Sequence, residues 1–261
     1  MSASWGSARF TPRGSGDGAW IELVDADFTV EADQLPSSNT LTFGGFVWTV
    51  EGGANDTGGG PKIASGALVI SPDLATNVAR SSASKRSAPI LHSTLTNLGA
   101  PFSALSGVRS ILVAVEIASW APSATQEAFR IGLETAATPL GSGSTGRGVM
   151  GGSAYSTTQR AGSIVFQDSA GTGNTDSTAS VAVRSLACLF TGTGVAVYSS
   201  ATPSTYTSPE TVLAATAQIS GGTRGSATMG SRDRLLLVGE SPDVSAGPPI
   251  SISRLRIWAR E

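Results

Sequence analysis

Four carboxylates lie close together near the start of the chain, at Asp25, Asp27, Glu31 and Asp33. If residues 24–33 form one extended strand, these four share parity. Ala26, Phe28, Val30 and Ala32 then occupy the opposite face. Two carboxylates held roughly 5–10 Å apart can hydrolyse a glycosidic bond, and a cluster of carboxylate oxygens can hold calcium. An amphipathic strand also needs a polar face opposite its apolar one, so a solvated acidic stripe is the reading we favour.

Nucleophilic catalysis of the Ser-His-Asp kind needs an imidazole to take the proton. The only histidine is His92, in Pro-Ile-Leu-His-Ser-Thr-Leu, and Gly-x-Ser-x-Gly does not occur. We therefore expect His92 to be a structural or surface residue, no catalytic residues, and a protein that is not an enzyme. Asn55 and Asp56 in the Gly-rich stretch 52–61, and Asn174 and Asp176 in 171–177, offer oxygen ligands for calcium. Two ligands per loop are too few, and no Cys/His spacing fits zinc. The glycine-rich loops also lack the Gly-Lys-Ser/Thr of a phosphate cradle. No metal or cofactor is expected.

The strongest binding candidate is the closing segment, residues 250–260. Strict alternation puts Leu255, Ile257 and Ala259 on one face and Arg254, Arg256, Trp258 and Arg260 on the other. Trp258 among three arginines can stack on a sugar, meet a partner, or make cation–π contacts within its own sheet. We take these four as the candidate ligand- or partner-binding patch. Trp48 and Trp120 fall at strand ends and are expected to pack in the core or at its rim.

The chain has 261 residues, 40% hydrophobic and 14% charged, with a net charge of −2. That is enough apolar material for a sizeable core, with a surface filled by Gly, Ser, Thr and Ala. A near-neutral balance argues against nucleic acid or an anionic membrane as partner. Cys188 is the single cysteine, so no disulfide can form within the chain. In Ser-Leu-Ala-Cys-Leu-Phe it reads as a small buried core residue. The first residues lack the apolar stretch of a signal peptide, and no apolar run approaches the ~18 residues of a membrane span. We expect folding in a cytoplasm.

These residues must be positioned by strands. Residues 1–18 read as an arm or linker whose Trp5 and Phe10 would pack on the body or on a neighbouring subunit. Residues 19–261 read as one domain of short alternating runs separated by turn residues. The expected strands are 41–50, 63–70, 110–120, 128–135, 163–167, 181–190, 194–198, 234–239 and 251–260. Residues 210–217 are the one weak helix candidate. The Gly-rich stretches 52–61, 141–152 and 171–177 are expected to be loops clustered at the ends of a sandwich. The fold class is all-β, a two-sheet antiparallel jelly-roll sandwich with little or no helix.

The order of segments resembles a concanavalin A-like (lectin/glucanase, laminin-G-like) jelly roll. Trp48-Thr-Val-Glu-Gly-Gly followed by Ser65-Gly-Ala-Leu-Val-Ile is similar to that fold's early strand pair. Val195-Ala-Val-Tyr198 is similar to its late strand. Leu235-Leu-Leu-Val-Gly239 with Ile252-Ser-Arg-Leu-Arg-Ile-Trp258 is similar to its closing strands. The resemblance implies fold more than function. Such domains serve as sugar-binding modules, glycan hydrolases, and structural or adhesive parts of virus particles. The Glu-x-Asp-x-x-Glu strand of the hydrolases is absent here. The expected function is therefore a structural or adhesive protein of a bacteriophage particle, located in the virion. It would assemble with itself as a homo-oligomer or with other virion proteins. A carbohydrate-binding module for host-surface glycans is the alternative, and a glycan hydrolase or lyase the second.

Overall fold

A computed structural model describes residues 18–51, 61–71, 86–87, 90–95, 102, 108–125, 127–135, 148–168, 171–192, 194–222, 233–242 and 247–261. In chain order the strands are β1 (Ile21–Asp27), β2 (Thr40–Phe43), β3 (Phe46–Glu51), β4 (Lys62–Ala64), β5 (Ala67–Ile70), β6 (Arg86–Ser87), β7 (Ile90–Ser93), β8 (Ser110–Ser119) and β9 (Ala128–Glu134). They continue with β10 (Gly148–Ala154), β11 (Ser163–Asp168), β12 (Gly171–Asp176), β13 (Ser185–Thr191), β14 (Gly194–Ser200), β15 (Ile219–Gly222), β16 (Arg234–Pro242) and β17 (Ile250–Arg260). One short helix, α1 (Pro209–Leu213), interrupts them.

The strands form two antiparallel sheets. Sheet A runs β15-β14-β13-β8-β17-β5-β4, and sheet B runs β12-β11-β10-β9-β16-β7-β3-β2. The closing strand β17 lies in the middle of sheet A. One edge pairs with β8 along its length, while the other is shared by β5 and β1. Its Leu255, Ile257 and Ala259 face the core as the alternation requires. The two sheets bury a continuous core between them, including Phe28, Leu68, Leu91, Ile111, Phe129, Leu133, Phe190, Leu235 and Ile257. Trp48 is fully buried and stacks on Phe43 at 4.8 Å. Cys188 is in this core, and burial pushes its thiol far above the usual range.

Two expected strands are in fact hairpins. Residues 41–50 break at Gly44 and Gly45, with φ of 58° and 81°. Residues 63–70 break at Ser65 and Gly66, with φ of 54° and 75°. Two consecutive positive φ angles make the tight turn whose twist suits a two-residue hairpin. The expected strand 24–33 likewise ends at Asp27. There the Asp27 carboxylate accepts from the Thr29 amide at 3.1 Å and from its hydroxyl at 2.6 Å, closing a turn.

Two glycine-rich stretches expected to be loops contain strands. β10 falls within 141–152 and its neighbour, and β12 within 171–177. The glycines of β10 are there for space. A Cβ on Gly151 would lie 2.8 Å from Val197 Cγ2 and 3.0 Å from Cys188 Sγ, and one on Gly152 would run into the Phe129 carbonyl. The helix expected over 210–217 is a single turn. Ser208 caps it by accepting from the Thr211 amide, with Pro209 opening the first turn. No helix among the described residues is long and apolar enough to cross a membrane.

The edges of the sandwich are tied together at one side. The Gln34 backbone exchanges hydrogen bonds with Ile63 of β4, at 2.8 and 2.9 Å, while its side-chain oxygen accepts from the Thr42 amide of β2 at 2.9 Å. One residue thus joins sheet A to sheet B. The glycine packing gives a direct test. Gly152→Ala should destabilise the protein by about 1–3 kcal/mol through overpacking. Gly192→Ala, with nothing within 4 Å of its added carbon, should be neutral or slightly stabilising. Thermal unfolding of the two variants side by side checks the contrast.

Candidate functional site

Alternation places Val50, Leu91, Leu133 and Leu235 in the core. Their neighbours Glu51, His92, Glu134 and Arg234 therefore project from the outer face of sheet B. These four come from β3, β7, β9 and β16, which are adjacent in the sheet, and their side chains meet. Glu51 Oε1 lies 2.7 Å from His92 Nε2 and 3.7 Å from Arg234 Nη1. The same Arg234 nitrogen is 3.7 Å from Glu134 Oε1. Side-chain exposure rises from 0% at Glu134 through 8% at His92 and 22% at Arg234 to 30% at Glu51. The cluster is buried at one end and open to solvent at the other.

A second ionic pair lies further along the same face. Arg130 Nε donates to Glu240 Oε2 at 3.0 Å, and Arg130 Nη1 donates to Ser163 Oγ at 2.7 Å. Both charged side chains are essentially fully buried, at 1% and 0%. An apolar patch of Met150, Val165, Leu236 and Val238 lies beside this pair, also buried. Pairing and hydrogen bonding satisfy the desolvated guanidinium, and loss of one partner leaves a buried charge.

The closing-strand patch is on the outer face of sheet A. Register pairs Asp25 with Arg256, Asp27 with Arg254 and Glu22 with Trp258, so the acidic stripe of β1 lies against the Arg/Trp stripe of β17. Arg254 makes two hydrogen bonds of 2.7 Å to the Asp25 carboxylate and reaches Asp27 at 3.5 Å. Arg256 donates to Glu116 at 3.0 Å. The Arg260 guanidinium lies 4.7 Å from the Trp20 ring centre. Trp258 is 4% exposed, within a second apolar cluster of Leu112, Ala114, Ala187, Tyr198, Tyr206 and Val212. Burial and the nearby Asp25 raise the Glu22 carboxyl, against a hydrogen bond from Trp258. The Thr29 hydroxyl holds Asp27 below its usual range, with Arg254 and Arg256 adding to the effect.

Glu31 and Asp33 do not extend the acidic stripe, because β1 has ended before them. Asp33 instead accepts from the Ser65 amide at 2.9 Å. Trp5 and Phe10, and Asn55 and Asp56 of the first candidate calcium loop, lie outside the described residues. Asn174 and Asp176 belong to strand β12. Among the described residues no group of three or more His, Cys, Asp or Glu side chains could hold a metal ion.

No protein-family model matches the chain, and no curated protein matches it. Solved structures do. An endo-β-1,3(4)-glucanase from family GH16, SCLam, aligns with a TM-score of 0.50 at 9% identity, over 98% of this chain and 95% of that one. A mutant of the GH43 protein BlXynB from Bacillus licheniformis aligns with a TM-score of 0.53 at 11% identity, over 90% of this chain and 39% of that one. A carbohydrate esterase from the Shiga toxin-encoding bacteriophage phi24B aligns with a TM-score of 0.48 at 12% identity, over 93% of this chain and all of that one. The protein has a concanavalin A-like jelly-roll fold. At these identities the likeness is one of fold.

The expectation of a non-enzymatic chain is corrected, because the same fold is that of an endo-β-1,3(4)-glucanase and so does not set this chain apart from enzymes. The absence of Glu-x-Asp-x-x-Glu had argued against hydrolysis, but that test looked along one strand. Here the carboxylates come together from different strands. His92, expected to be structural or at the surface, is a buried member of this cluster. No periodicity within one segment signals such a set, since its members are scattered from Glu51 to Arg234. Replacing Arg130 with Ala should cost about 3–5 kcal/mol by breaking its buried pair with Glu240. Chemical denaturation would show whether the jelly roll depends on that pair to this extent.

Proposed function

We propose that the protein acts on glycans at the Glu51–His92–Arg234–Glu134 cluster. The observation that carries this is the shared guanidinium. Glu51 and Glu134 each place an oxygen 3.7 Å from one Arg234 nitrogen, so these oxygens are at most twice that distance apart. Two carboxylates within roughly 5–9.5 Å are what acid–base hydrolysis of a glycosidic bond uses. Arg234 lies between the two carboxylates and pairs with both. Glu51 is the more exposed and is hydrogen-bonded to His92, which makes it the carboxylate within reach of a substrate. Glu134, held out of water, is the second carboxylate. The structures of similar fold support a carbohydrate as the substrate class.

The setting we propose for this activity is a bacteriophage particle. The neutral, hydroxyl-rich composition supports that setting, and assembly with itself or other particle proteins would use the segment carrying Trp5 and Phe10. Mass spectrometry of purified particles should find the chain among the virion proteins; its presence only in the soluble host fraction would remove this setting.

The activity is tested by incubating the protein with a panel of neutral and acidic polysaccharides, β-1,3(4)-glucan included, and measuring new reducing ends. Glu51→Gln and Glu134→Gln should each lower turnover at least about 100-fold, the usual scale for loss of a positioned acid or base. Full activity in both variants would overturn the assignment of the cluster. Binding on a glycan array without product release would assign recognition in place of cleavage.

A further inference from the structure

The outer face of sheet B continues past the ionic cluster to the β2–β3 edge. Leu41, Phe43, Trp48 and Val50 are buried in the core, so Thr40, Thr42, Val47, Thr49 and Glu51 stand on the outer face. Register sets Thr40 beside Thr49, Thr49 beside His92, and Thr42 beside Val47. Adjacent strands are about 4.8 Å apart, so this strip extends the cluster by one strand spacing, from β3 to β2, and runs back along β3 from Glu51 to Val47. Thr42 is exposed and Thr40 and Thr49 partly so. Val47 is 58% exposed, among the few large apolar side chains left in solvent. None of the four carries a charge, and the core has no use for them.

We infer that Thr40, Thr42, Val47 and Thr49 form a subsite for an uncharged glycan chain that crosses β3 and β2 on its way to Glu51. This inference rests on the glycan-acting reading of the cluster and adds where the chain lies and what kind of sugar it holds. Threonine hydroxyls can donate to and accept from sugar hydroxyls. The Thr40 hydroxyl already donates to the Ser37 carbonyl at 2.7 Å, which leaves its oxygen as an acceptor toward the ligand. Val47 offers apolar surface to the C–H face of a sugar ring, and burying it there removes it from water. The charge pattern selects against acidic sugars. The strip is neutral, and the cluster it leads to sets two carboxylates, Glu51 and Glu134, against the single Arg234 guanidinium, a balance that disfavours a uronate or sulfate.

The test is calorimetric titration of the Glu134→Gln protein, impaired in turnover but still carrying the Glu51 carboxylate, with neutral β-glucan oligosaccharides of increasing length. A uronate oligosaccharide serves as the charged control. Affinity should rise with length as the chain reaches the strip, and the uronate should not bind. Adding Val47→Asp, at an exposed position where folding is not at risk, should weaken binding of the longer oligosaccharides about tenfold or more while leaving the shortest unchanged. Neutral oligosaccharides that bind equally well with and without Val47→Asp would overturn the subsite and leave the cluster standing. A wild-type protein that neither binds nor cleaves any neutral glycan overturns both readings.

Discussion

The two-residue period of the strands is the constraint on which the rest of the structure depends. In each strand of sheet B one set of side chains fills the space between the sheets, and the other set must leave by the opposite face. Burying Val50, Leu91, Leu133 and Leu235 therefore does two jobs. It supplies the core, and it places Glu51, His92, Glu134 and Arg234 on one surface. A slip of one residue in any of these strands would drive a charged group into the core. The hydrophobic pattern thus positions the ionic cluster.

The same logic governs the opposite sheet, where it leads to charge pairing. β1 and β17 run antiparallel with Asp25 and Asp27 set against Arg256 and Arg254. Each arginine of that strip has found a partner within the protein: carboxylates for Arg254 and Arg256, and the Trp20 ring for Arg260. Partly exposed pairs of this kind contribute little individually to stability. Their stronger effect is on register, since a one-residue slip of β1 would break these pairs and turn Val24 and Ala26 out of the core. The closing strand joins the early part of the chain to its end at the middle of sheet A, and a pairing so distant in sequence is slow to form.

Strand existence was legible where apolar side chains alternate, as in Ser110–Ser119, Ala128–Glu134 and Ile250–Arg260. It failed where glycine carries the strand. Gly151 and Gly152 show no hydrophobic period because they have no side chain, yet their lack of one is what lets β10 fit against Val197 and the Phe129 backbone. Turn chemistry was misjudged where apolar runs flank a short turn, so that Gly44–Gly45 and Ser65–Gly66 passed as strand interior. The ionic cluster was illegible for a different reason. Each member looks ordinary in its own segment, and only the order of strands β3, β7, β16 and β9 makes them neighbours.

Solvent access explains why the two ionic groups of sheet B differ in character. Arg130 and Glu240 are sealed, with exposures of 1% and 0%. Removing both from water is costly, and their attraction mainly offsets that cost. Glu134 is just as buried, but its guanidinium partner is 22% exposed and the next carboxylate 30%. Across the sheet, exposure is 0% at Glu134 on β9, 22% at Arg234 on β16, 8% at His92 on β7 and 30% at Glu51 on β3, so the β3 end of the cluster is the most open. The exposed Val47 and Thr42 lie on that side, and Glu51 is nearer to it than Glu134. Burial thus gives the two carboxylates different surroundings, one in contact with water and one desolvated, and such a difference is what separates the roles of paired carboxyl groups.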